Sequence, residues 1–355
     1  MTPTRPNRVL VTGVSNPLGA EVARRLAPHV PHLFGCDLRD PIDALEEMDF
    51  VHADTRHVAI GKLVRRLRVD TVVHLAVMVD SPHDERSIHE TDVIGTMNIL
   101  AGCSAPSGHV RKLIVKSSQA IYGAAATDPS FFSEEMTNNE KPAPSVTRDL
   151  LDMEQLITEF AVRNQSCSVS VMRLGFRVSE DTTLARYLSL PIVPTFAGFD
   201  PRLQLLHEED AAEAIVRAVL GHHPGVFNVA AGGVVLLSQA IAIMGGRPAP
   251  LLPPYGRWIG RLALRALARV EVQAHLADVI AFGSVADCSK LEAEFGWKPA
   301  YSSRAVMDGF ARGKTLEVIE APSPPQEYEL QVYLQRRRRA NRNGQGAAPV
   351  LEAHR

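Results

Sequence analysis

The chain has 355 residues, more than the roughly 250–300 at which a single hydrophobic core tends to split, so we expect two lobes. Hydrophobic residues make up 45% and charged residues 22% of the sequence, values that exclude a disordered or fibrous protein. The 38 Lys and Arg residues nearly balance the 40 Asp and Glu residues, and the net charge of -2 gives no overall attraction to nucleic acid. We therefore expect a small-molecule substrate and no nucleic-acid partner.

The cysteines are scattered along the chain and form no C-x-x-C pair. This spacing predicts neither a zinc site nor a disulfide framework, so no metal site is expected. The N-terminus reaches a strand-like run without a charged segment followed by an apolar one, and no stretch reaches about 18 uninterrupted apolar residues. The sequence therefore favours a cytoplasmic protein with reduced thiols at Cys36, Cys103, Cys167 and Cys288.

Short apolar runs alternate with helical periods through the first half of the chain. Apolar residues recur at three- and four-residue spacings over 18–26, 58–67, 88–101 and 150–162. This alternation predicts an α/β fold with a doubly wound parallel sheet, the Rossmann fold, with ligands at the carboxyl ends of the strands. The predicted strands are RVLVTG, HLFGCD, DFVHAD, DTVVHLAV, KLIVKSS and SVSVMRL, which we expect to alternate strictly with helices.

The second half of the chain has a looser pattern, in which loops that contain proline separate the elements. We expect a dinucleotide-binding domain over residues 1–175, to which residues 205–231 return. A smaller substrate lobe is predicted from residues 176–204 and 232–318. The remainder is rich in proline, arginine and small polar residues, a composition that predicts a flexible basic tail over 319–355.

The segment VLVTGVSNPLG, residues 9–19, places a glycine-containing turn between the first strand and the first helix. Free N–H groups and the helix dipole favour phosphate there, and glycine allows close approach of the backbone. Asn16 stands where the T-G-x-x-G-x-x-G form of the loop has its middle glycine, and we expect it to tolerate a left-handed backbone. The predicted cofactor contacts in the loop are Gly13, Ser15, Asn16, Leu18 and Gly19.

Asp37 closes the second predicted strand, where a carboxylate accepts hydrogen bonds from the adenosine ribose hydroxyls. Its charge would repel a 2′-phosphate, so NAD is predicted in preference to NADP, with Arg39 nearby as the opposing feature. Further contacts are expected where this and the following strands end. These predicted cofactor contacts are Leu38, Asp54, Thr55, Leu75, Ala76, Val77 and Ser117.

Over about residues 8–312, the chain resembles the extended short-chain dehydrogenase/reductase family, in particular its NAD-dependent epimerase/dehydratase group. It is most similar to a UDP-glucose 4-epimerase-like branch that is mainly actinobacterial. The resemblance implies tightly bound NAD and hydride transfer at a hydroxyl of a nucleotide sugar or similar substrate, as oxidoreductase or isomerase chemistry. The resemblance rests on TGVSNPLG, Asp37, Asp54, HLAV, DVIGTMN, KSSQAIYG, LLHEEDAAEAI, GVFNVA and FGWKPAYSS.

The resemblance also implies a Ser or Thr after the fifth strand and a Y-x-x-x-K pair on the next helix, whose lysine lowers the tyrosine pKa for proton transfer. Ser118 matches the first element. Val146 and Leu150 stand at the positions of the pair, and neither can move a proton. Asp92 replaces the asparagine of the family's N-V-x-G-T segment. Arg173 is retained after the sixth strand and is a predicted substrate contact.

Three further side chains are candidates for the missing chemistry. Tyr122 offers a phenol close to Ser118, with packing at the sheet edge as the alternative. Asp149 is an acid/base candidate if burial raises its pKa, with a solvated helix N-terminus as the alternative. His207 begins a helix and is either a substrate contact or a cap.

The segment RWIGRLALRALARV repeats arginine on one helical face, from Arg257 to Arg269. A solvated face, phosphate recognition and weak contact with an anionic membrane surface remain open, as does a homodimer. Three functions also remain open: an NAD-binding epimerase/dehydratase-type oxidoreductase, a non-catalytic NAD-binding scaffold or redox-responsive regulator, and a dehydrogenase of a sterol- or lipid-type hydroxyl.

Overall fold

The computed structural model describes residues 5–41, 45–79, 85–104, 109–136, 145–179, 182–251 and 272–313. Every structural statement below concerns these residues. The predicted tail over 319–355 and the arginine-bearing segment from Arg257 to Arg269 lie outside them. Within the described ranges, no helix combines the length and the apolar character needed to cross a membrane.

A seven-stranded sheet forms the centre of the fold, in the order β3-β2-β1-β4-β5-β6-β9. All its strand pairs are parallel, which confirms the predicted doubly wound sheet. Because the order reverses between β1 and β4, a crevice opens beyond the carboxyl ends of these two strands. The strands are β1 Arg8–Thr12, β2 His32–Asp37, β3 Met48–His52, β4 Thr71–His74, β5 Lys112–Ser118, β6 Ser168–Leu174 and β9 Gly225–Val229.

Helices cover both faces of the sheet. Successive side chains of a strand point to opposite faces, so Leu10 and Leu113 join one core while Val9 and Ile114 join the other. The first core packs under α2 Ala59–Arg66, α4 Gly95–Cys103 and α5 Ser145–Arg163. The second packs under α1 Pro17–Leu26, α7 Glu208–Leu220 and α10 Ser289–Phe295.

A third hydrophobic core lies outside the main sheet and contains Leu188, Val193, Leu276 and Met307. Two small sheets border it, one pairing β8 with β10 and one pairing β7 with β11. Its elements are α6 Thr183–Leu188, β7 Ile192–Phe196, β8 Arg202–Leu203, β10 Val235–Leu236, α8 Leu237–Ile243, β11 Arg247–Leu251, α9 Ala274–Phe282 and α11 Ser303–Arg312.

The strict alternation of strands and helices is wrong at one place. β2 and β3 are joined without a helix among the described residues of their connection, 38–41 and 45–47. The predicted helix over 88–101 is also divided, because α3 Glu85–His89 and α4 flank a π-helical turn over Glu90–Ile94. A π-helical turn inserts one extra residue into a helix and turns side chains to new directions, which brings Asp92 to the end of β4.

Candidate functional site

The loop between β1 and α1 is held tightly against the neighbouring strands. Gly13 has a φ of +77°, and its N–H donates to the Cys36 carbonyl at 3.0 Å. A Cβ on Gly13 would lie 2.9 Å from the Ala76 nitrogen, and one on Gly19 would lie 2.0 Å from the Gly13 oxygen. Both positions therefore require glycine, as the close approach of a dinucleotide to this loop would also demand.

Asn16 does not adopt the left-handed backbone expected of it. Its φ of -102° and ψ of 156° are extended, and its side chain caps α1 by accepting the Gly19 N–H at 2.8 Å. Its side-chain amide also donates to the Gly13 carbonyl. The expectation was wrong because Asn16 acts as the N-cap of α1, and an N-cap residue typically has an extended backbone. No acidic side chain stands in the first turn of α1, so nothing there repels a phosphate.

Asp37 lies at the end of β2, beside the glycine-containing loop. One carboxylate oxygen accepts the Ser15 N–H at 3.1 Å and the other accepts the Leu38 N–H at 2.6 Å. The Ser15 hydroxyl donates to the Arg39 carbonyl at 2.5 Å, which ties the loop to the segment after β2. These bonds fix the position of the carboxylate from which the ribose hydroxyls of a dinucleotide would be held.

Asp54 follows β3 and is engaged by Arg56, whose guanidinium approaches its carboxylate to 2.8 Å. Burial by itself would raise the pKa of Asp54, but the hydrogen bonds and charge of Arg56 lower it below its ordinary value. Asp54 is therefore an anion with a fixed orientation. Thr55, next to it, is buried and also faces the cavity described below.

The segment after β4 forms the middle of the site. The N–H groups of Leu75 and Ala76 donate to the Thr12 hydroxyl at 3.2 and 3.3 Å, and the Val77 N–H donates to the Leu75 carbonyl at 2.8 Å. The backbone of Leu75 and Ala76 thus lies against Gly13, across the point where the strand order reverses.

Ser117 and Ser118 end β5 and point to opposite sides. The Ser117 hydroxyl donates to Glu154 at 2.5 Å, toward the buried interior. The Ser118 oxygen accepts the Ala120 N–H at 3.1 Å, which leaves its hydroxyl proton available. Both residues contribute to the cavity wall.

One cavity runs along the carboxyl edge of the sheet from the ends of β2 and β3 to the end of β6. Ser15, Leu18 and Gly19 support the loop beside it, and Leu18 is buried. The glycine-containing cradle, the carboxylate at the end of β2 and the length of the crevice fit a dinucleotide. The predicted cofactor contacts in its wall are Gly13, Asn16, Asp37, Leu38, Asp54, Thr55, Leu75, Ala76, Val77 and Ser117.

Comparison with known proteins agrees with this geometry. Residues 9–174 match the model of the NAD dependent epimerase/dehydratase family. The chain is 34% identical over 338 residues to the uncharacterized protein Rv0501 of Mycobacterium tuberculosis, which covers 92% of this chain and 89% of that one. The chain belongs to the NAD-dependent epimerase/dehydratase family. This membership confirms the resemblance and agrees with NAD as the cofactor.

Solved structures share the fold at lower identity. The UDP-glucose 4-epimerase of Thermotoga maritima, solved with UDP-glucose, has a TM-score of 0.66 at 18% identity and covers 86% of this chain and 97% of its own. The enzyme WbmG of Bordetella bronchiseptica, solved with NAD and UDP, has a TM-score of 0.64 at 19% identity, covering 88% and 95%. These likenesses confirm the epimerase/dehydratase fold.

The two positions of the implied proton-transferring pair lie on α5 of this family member. Val146 and Leu150 are buried there, and both pack in the core under the first face of the sheet. Neither carries a group that can transfer a proton, so hydride transfer in this cavity would need a different group for the proton.

Tyr122 and Arg173 belong to one buried network of hydrogen bonds. The Tyr122 hydroxyl donates to the Asn228 side chain at 2.8 Å and accepts from Arg173 at 2.8 Å. Arg173 is ion-paired with Glu154 at 2.6 Å. Burial raises the pKa of Tyr122, which disfavours its phenolate. Within the described residues, neither Tyr122 nor Arg173 lines the cavity, and their partners give both a structural role.

Asp149 and His207 also have partners outside the cavity wall. Asp149 lies on α5, and its carboxylate contacts the His89 ring nitrogen at 2.7 Å. His207 caps α7 by accepting the Glu209 N–H at 3.3 Å, and its ring lies 4.0 Å from that of Tyr301. The described part of the cavity wall includes neither residue, while Ser118 remains in it.

The polar residues of the cavity wall that sequence reasoning missed include Lys116, Arg177 and His275. Lys116 stands inside an apolar strand, and that unusual position was a signal available in the sequence. Arg177 follows β6 and is ion-paired with Glu208 at 3.1 Å. His275 is buried on α9, where burial lowers its pKa to about 4. No pattern in the sequence predicts that His275 lies at this edge of the sheet.

Proposed function

We propose that the protein is an NAD-dependent oxidoreductase that acts on a hydroxyl of a nucleotide-linked sugar. The observation that carries the proposal is a single cavity, which joins the glycine-containing loop and Asp37 at one end to Ser118 and Gly175 at the other. In this proposal, residues at the ends of β2 and β3 would hold the adenosine half of a dinucleotide and those at the ends of β4 and β5 the nicotinamide half, as the strand order of a doubly wound sheet favours.

Each part of the cavity has a distinct task in this proposal. Asp37 holds the adenosine ribose, and the loop after β1 accommodates the pyrophosphate. Bound NAD supplies the hydride acceptor. Ser118 orients the substrate oxygen through its free hydroxyl proton, since its oxygen already accepts the Ala120 N–H. These residues position the reacting groups, which is a large part of what an enzyme must do.

The proposal that the substrate carries a nucleotide is supported by a charged side chain at the far end of the cavity. Arg177 places a guanidinium there, and guanidinium groups suit diphosphate oxygens. The Thermotoga maritima enzyme was solved with UDP-glucose and the Bordetella bronchiseptica enzyme with UDP, so proteins of this fold hold such ligands.

A second candidate function is non-catalytic NAD binding, as a scaffold or a redox-responsive regulator. The observation that favours it is the burial of Val146 and Leu150 at the positions of the implied proton-transferring pair, together with the structural bonds of Tyr122. In this alternative NAD stays bound but no substrate reduces it.

A single-turnover experiment separates the two candidates. NAD-loaded protein is mixed with UDP- and dTDP-linked sugars, with the corresponding free sugars as controls, while the near-ultraviolet absorbance of NADH is recorded. The oxidoreductase proposal predicts a signal with nucleotide sugars that is strongly reduced in Ser118→Ala. NAD binding without a signal from any sugar of the panel would contradict that proposal and favour the non-catalytic alternative.

A further inference from the structure

Lys116 shares a strand face with Ser118. Residues two positions apart on a strand project to the same side, so both side chains leave β5 toward the cavity while Ser117 points the other way. Lys116 is partly buried, whereas every other residue of β5 is buried. Its amine-bearing side chain is therefore placed at the cavity wall, two residues along β5 from the serine that the proposed function uses.

The amine of Lys116 has a backbone anchor instead of a carboxylate partner. Its Nζ donates to the Val77 carbonyl at 2.6 Å, at the segment that lines the middle of the cavity. A charged amine has three N–H donors, whereas a neutral amine has two N–H donors and a lone pair, so the bond to Val77 leaves further hydrogen-bonding capacity in either form. A backbone carbonyl accepts from the neutral and the charged amine alike, so the anchor survives a change of protonation.

Asp92 is the acidic neighbour of this amine. It lies in the π-helical turn, where one carboxyl oxygen accepts the Met78 N–H at 2.7 Å. Its other oxygen is buried and has no hydrogen-bond partner among the described residues. Because Val77 and Met78 are adjacent, Lys116 and Asp92 are anchored to consecutive residues of the same segment.

The charged groups around Lys116 act on its pKa in opposite directions. Burial, together with repulsion from Arg177, lowers the pKa of Lys116 to about 7, although the charge of Asp92 acts in the opposite direction. Burial likewise raises the pKa of Asp92 to about 8. The other titratable neighbour, His74, has its pKa lowered to about 4 by burial and by Lys116. Burial thus favours the neutral amine, the form that can accept a proton.

We propose that Lys116 is the group that accepts the proton of the substrate hydroxyl, on the same strand face as Ser118. The inference rests on the proposed function and names the residue that takes the place of the pair absent at Val146 and Leu150. The hydroxyl O–H bond breaks and an N–H bond forms at Lys116. At the same carbon, the C–H electron pair leaves as hydride to NAD⁺, which is reduced to NADH, and the carbon–oxygen bond becomes double.

The proposal has a consequence for cofactor binding that needs no substrate. The nicotinamide ring of NAD⁺ is positively charged and that of NADH is neutral, so a protonated Lys116 beside the ring repels only NAD⁺. NAD⁺ affinity should therefore rise with pH as Lys116 loses its proton, by up to about tenfold per pH unit, and level off above the lysine pKa. NADH affinity should not show this rise.

Calorimetric titration of the full chain with NAD⁺ and NADH from pH 6 to 9 tests this consequence. Lys116→Met should abolish the pH-dependent rise for NAD⁺, and Lys116→Arg should hold NAD⁺ affinity low at every pH because a guanidinium stays charged. Lys112→Met is the matched control. Lys112 is buried on the same strand, with its Nζ bound to the Val219 carbonyl at 2.6 Å, but it lies at the opposite end of β5.

The possible results distinguish a failure of the proposed function from a failure of the role of Lys116. Absence of measurable NAD binding to wild type would overturn the proposed function. Binding with a pH dependence that persists in Lys116→Met, or disappears equally in Lys112→Met, would overturn the role of Lys116 alone. Where Lys116→Met does not fold, the wild-type amine is titrated by competitive acetylation and mass spectrometry. A Lys116 that reacts as an ordinary, permanently protonated lysine at neutral pH would then refute the proposal.

Turnover provides the remaining readout. With any nucleotide sugar that reduces the bound NAD, Lys116→Met should lower the single-turnover rate by about 10²–10⁴-fold, the usual contribution of a general base, and should flatten its pH profile. A rate within a few-fold of wild type would contradict the assignment even if NAD binding depends on Lys116.

Discussion

Asp37 uses both of its carboxylate oxygens within the protein, one for the Ser15 N–H and one for the Leu38 N–H. Each oxygen has a second lone pair, so the same carboxylate can bind ribose hydroxyls while it holds the loop. We therefore expect one acidic residue at the end of β2 both to organise the adenosine end of the cavity and to select the cofactor.

Asp37→Ala should weaken NAD binding by about 1–3 kcal/mol, because charge-assisted hydrogen bonds to the ribose are lost. Isothermal titration calorimetry measures the change. Asp49→Ala is the control, since Asp49 is an exposed acidic residue on neighbouring β3. An equal loss in both variants would show that the effect comes from net charge and not from a bond to the ribose.

Substitution of Tyr122 tests whether a tyrosine close to Ser118 takes part in the reaction or stabilises the fold. Tyr122→Phe removes the hydroxyl that links Asn228 and Arg173, so we expect a loss of about 1–3 kcal/mol in the free energy of unfolding. NAD affinity should stay unchanged. Chemical denaturation and calorimetry measure the two quantities. Unchanged stability with lost turnover would place Tyr122 in the reaction instead.

Lys116 shows what local sequence patterns leave undetermined. Asp37 and the glycines were predictable because a strand end and a tight turn are local features. The significance of Lys116 depends on the Val77 carbonyl in the segment after β4, on Asp92 in a π-helical turn and on Arg177 after β6, and these meet only in the folded chain. The role of Tyr122 could not be decided from the sequence either, because its partners Asn228 and Arg173 are distant in sequence.

The loop from β1 to α1 is the element on which we expect cofactor binding to depend most. Its geometry is determined by two glycines in mutual contact and by the Asn16 cap, which holds the first turn of α1. The sequence predicted the loop, but the reason it gave for tolerating Asn16 was wrong. A backbone conformation cannot be read from residue type when the side chain can instead cap the helix.

Gly19→Ala should disrupt this loop, because the new methyl group would meet the Gly13 oxygen at 2.0 Å. We expect NAD affinity to fall about tenfold or more, which corresponds to about 1.4 kcal/mol. Gly232→Ala is the matched control, since a Cβ there meets nothing within 4 Å. NAD affinity that Gly19→Ala leaves at the wild-type value would mean that the loop does not hold the cofactor.

The strands of the sheet were predictable as a set, whereas their connections were not. Six apolar runs of the first half became β1 to β6, because buried parallel strands are nearly continuous in hydrophobicity. The sequence contains no periodic signal for the π-helical turn or for the connection from β2 to β3, whose described residues contain no helix. The strand β9, which completes the sheet beside β6, lies far along the chain and depends on tertiary pairing.

The predicted tail over residues 319–355 is rich in proline, arginine and small polar residues. Truncation after residue 322 should therefore leave the melting temperature and the NAD affinity unchanged, since the removed segment has few apolar residues to join a core. Differential scanning calorimetry of both forms measures this. A marked fall in melting temperature would show that the segment stabilises the rest. The cytoplasmic location, the homodimer and the membrane contact stay predictions.

The central claim is that the cavity along the carboxyl edge of the sheet is an NAD site whose cofactor choice is determined by Asp37. Calorimetric titration of the purified wild-type protein with NAD and with NADP tests it most directly. The account predicts tighter binding of NAD, because the Asp37 carboxylate would face the 2′-phosphate of NADP. Tighter binding of NADP, or no binding of either dinucleotide, would contradict it.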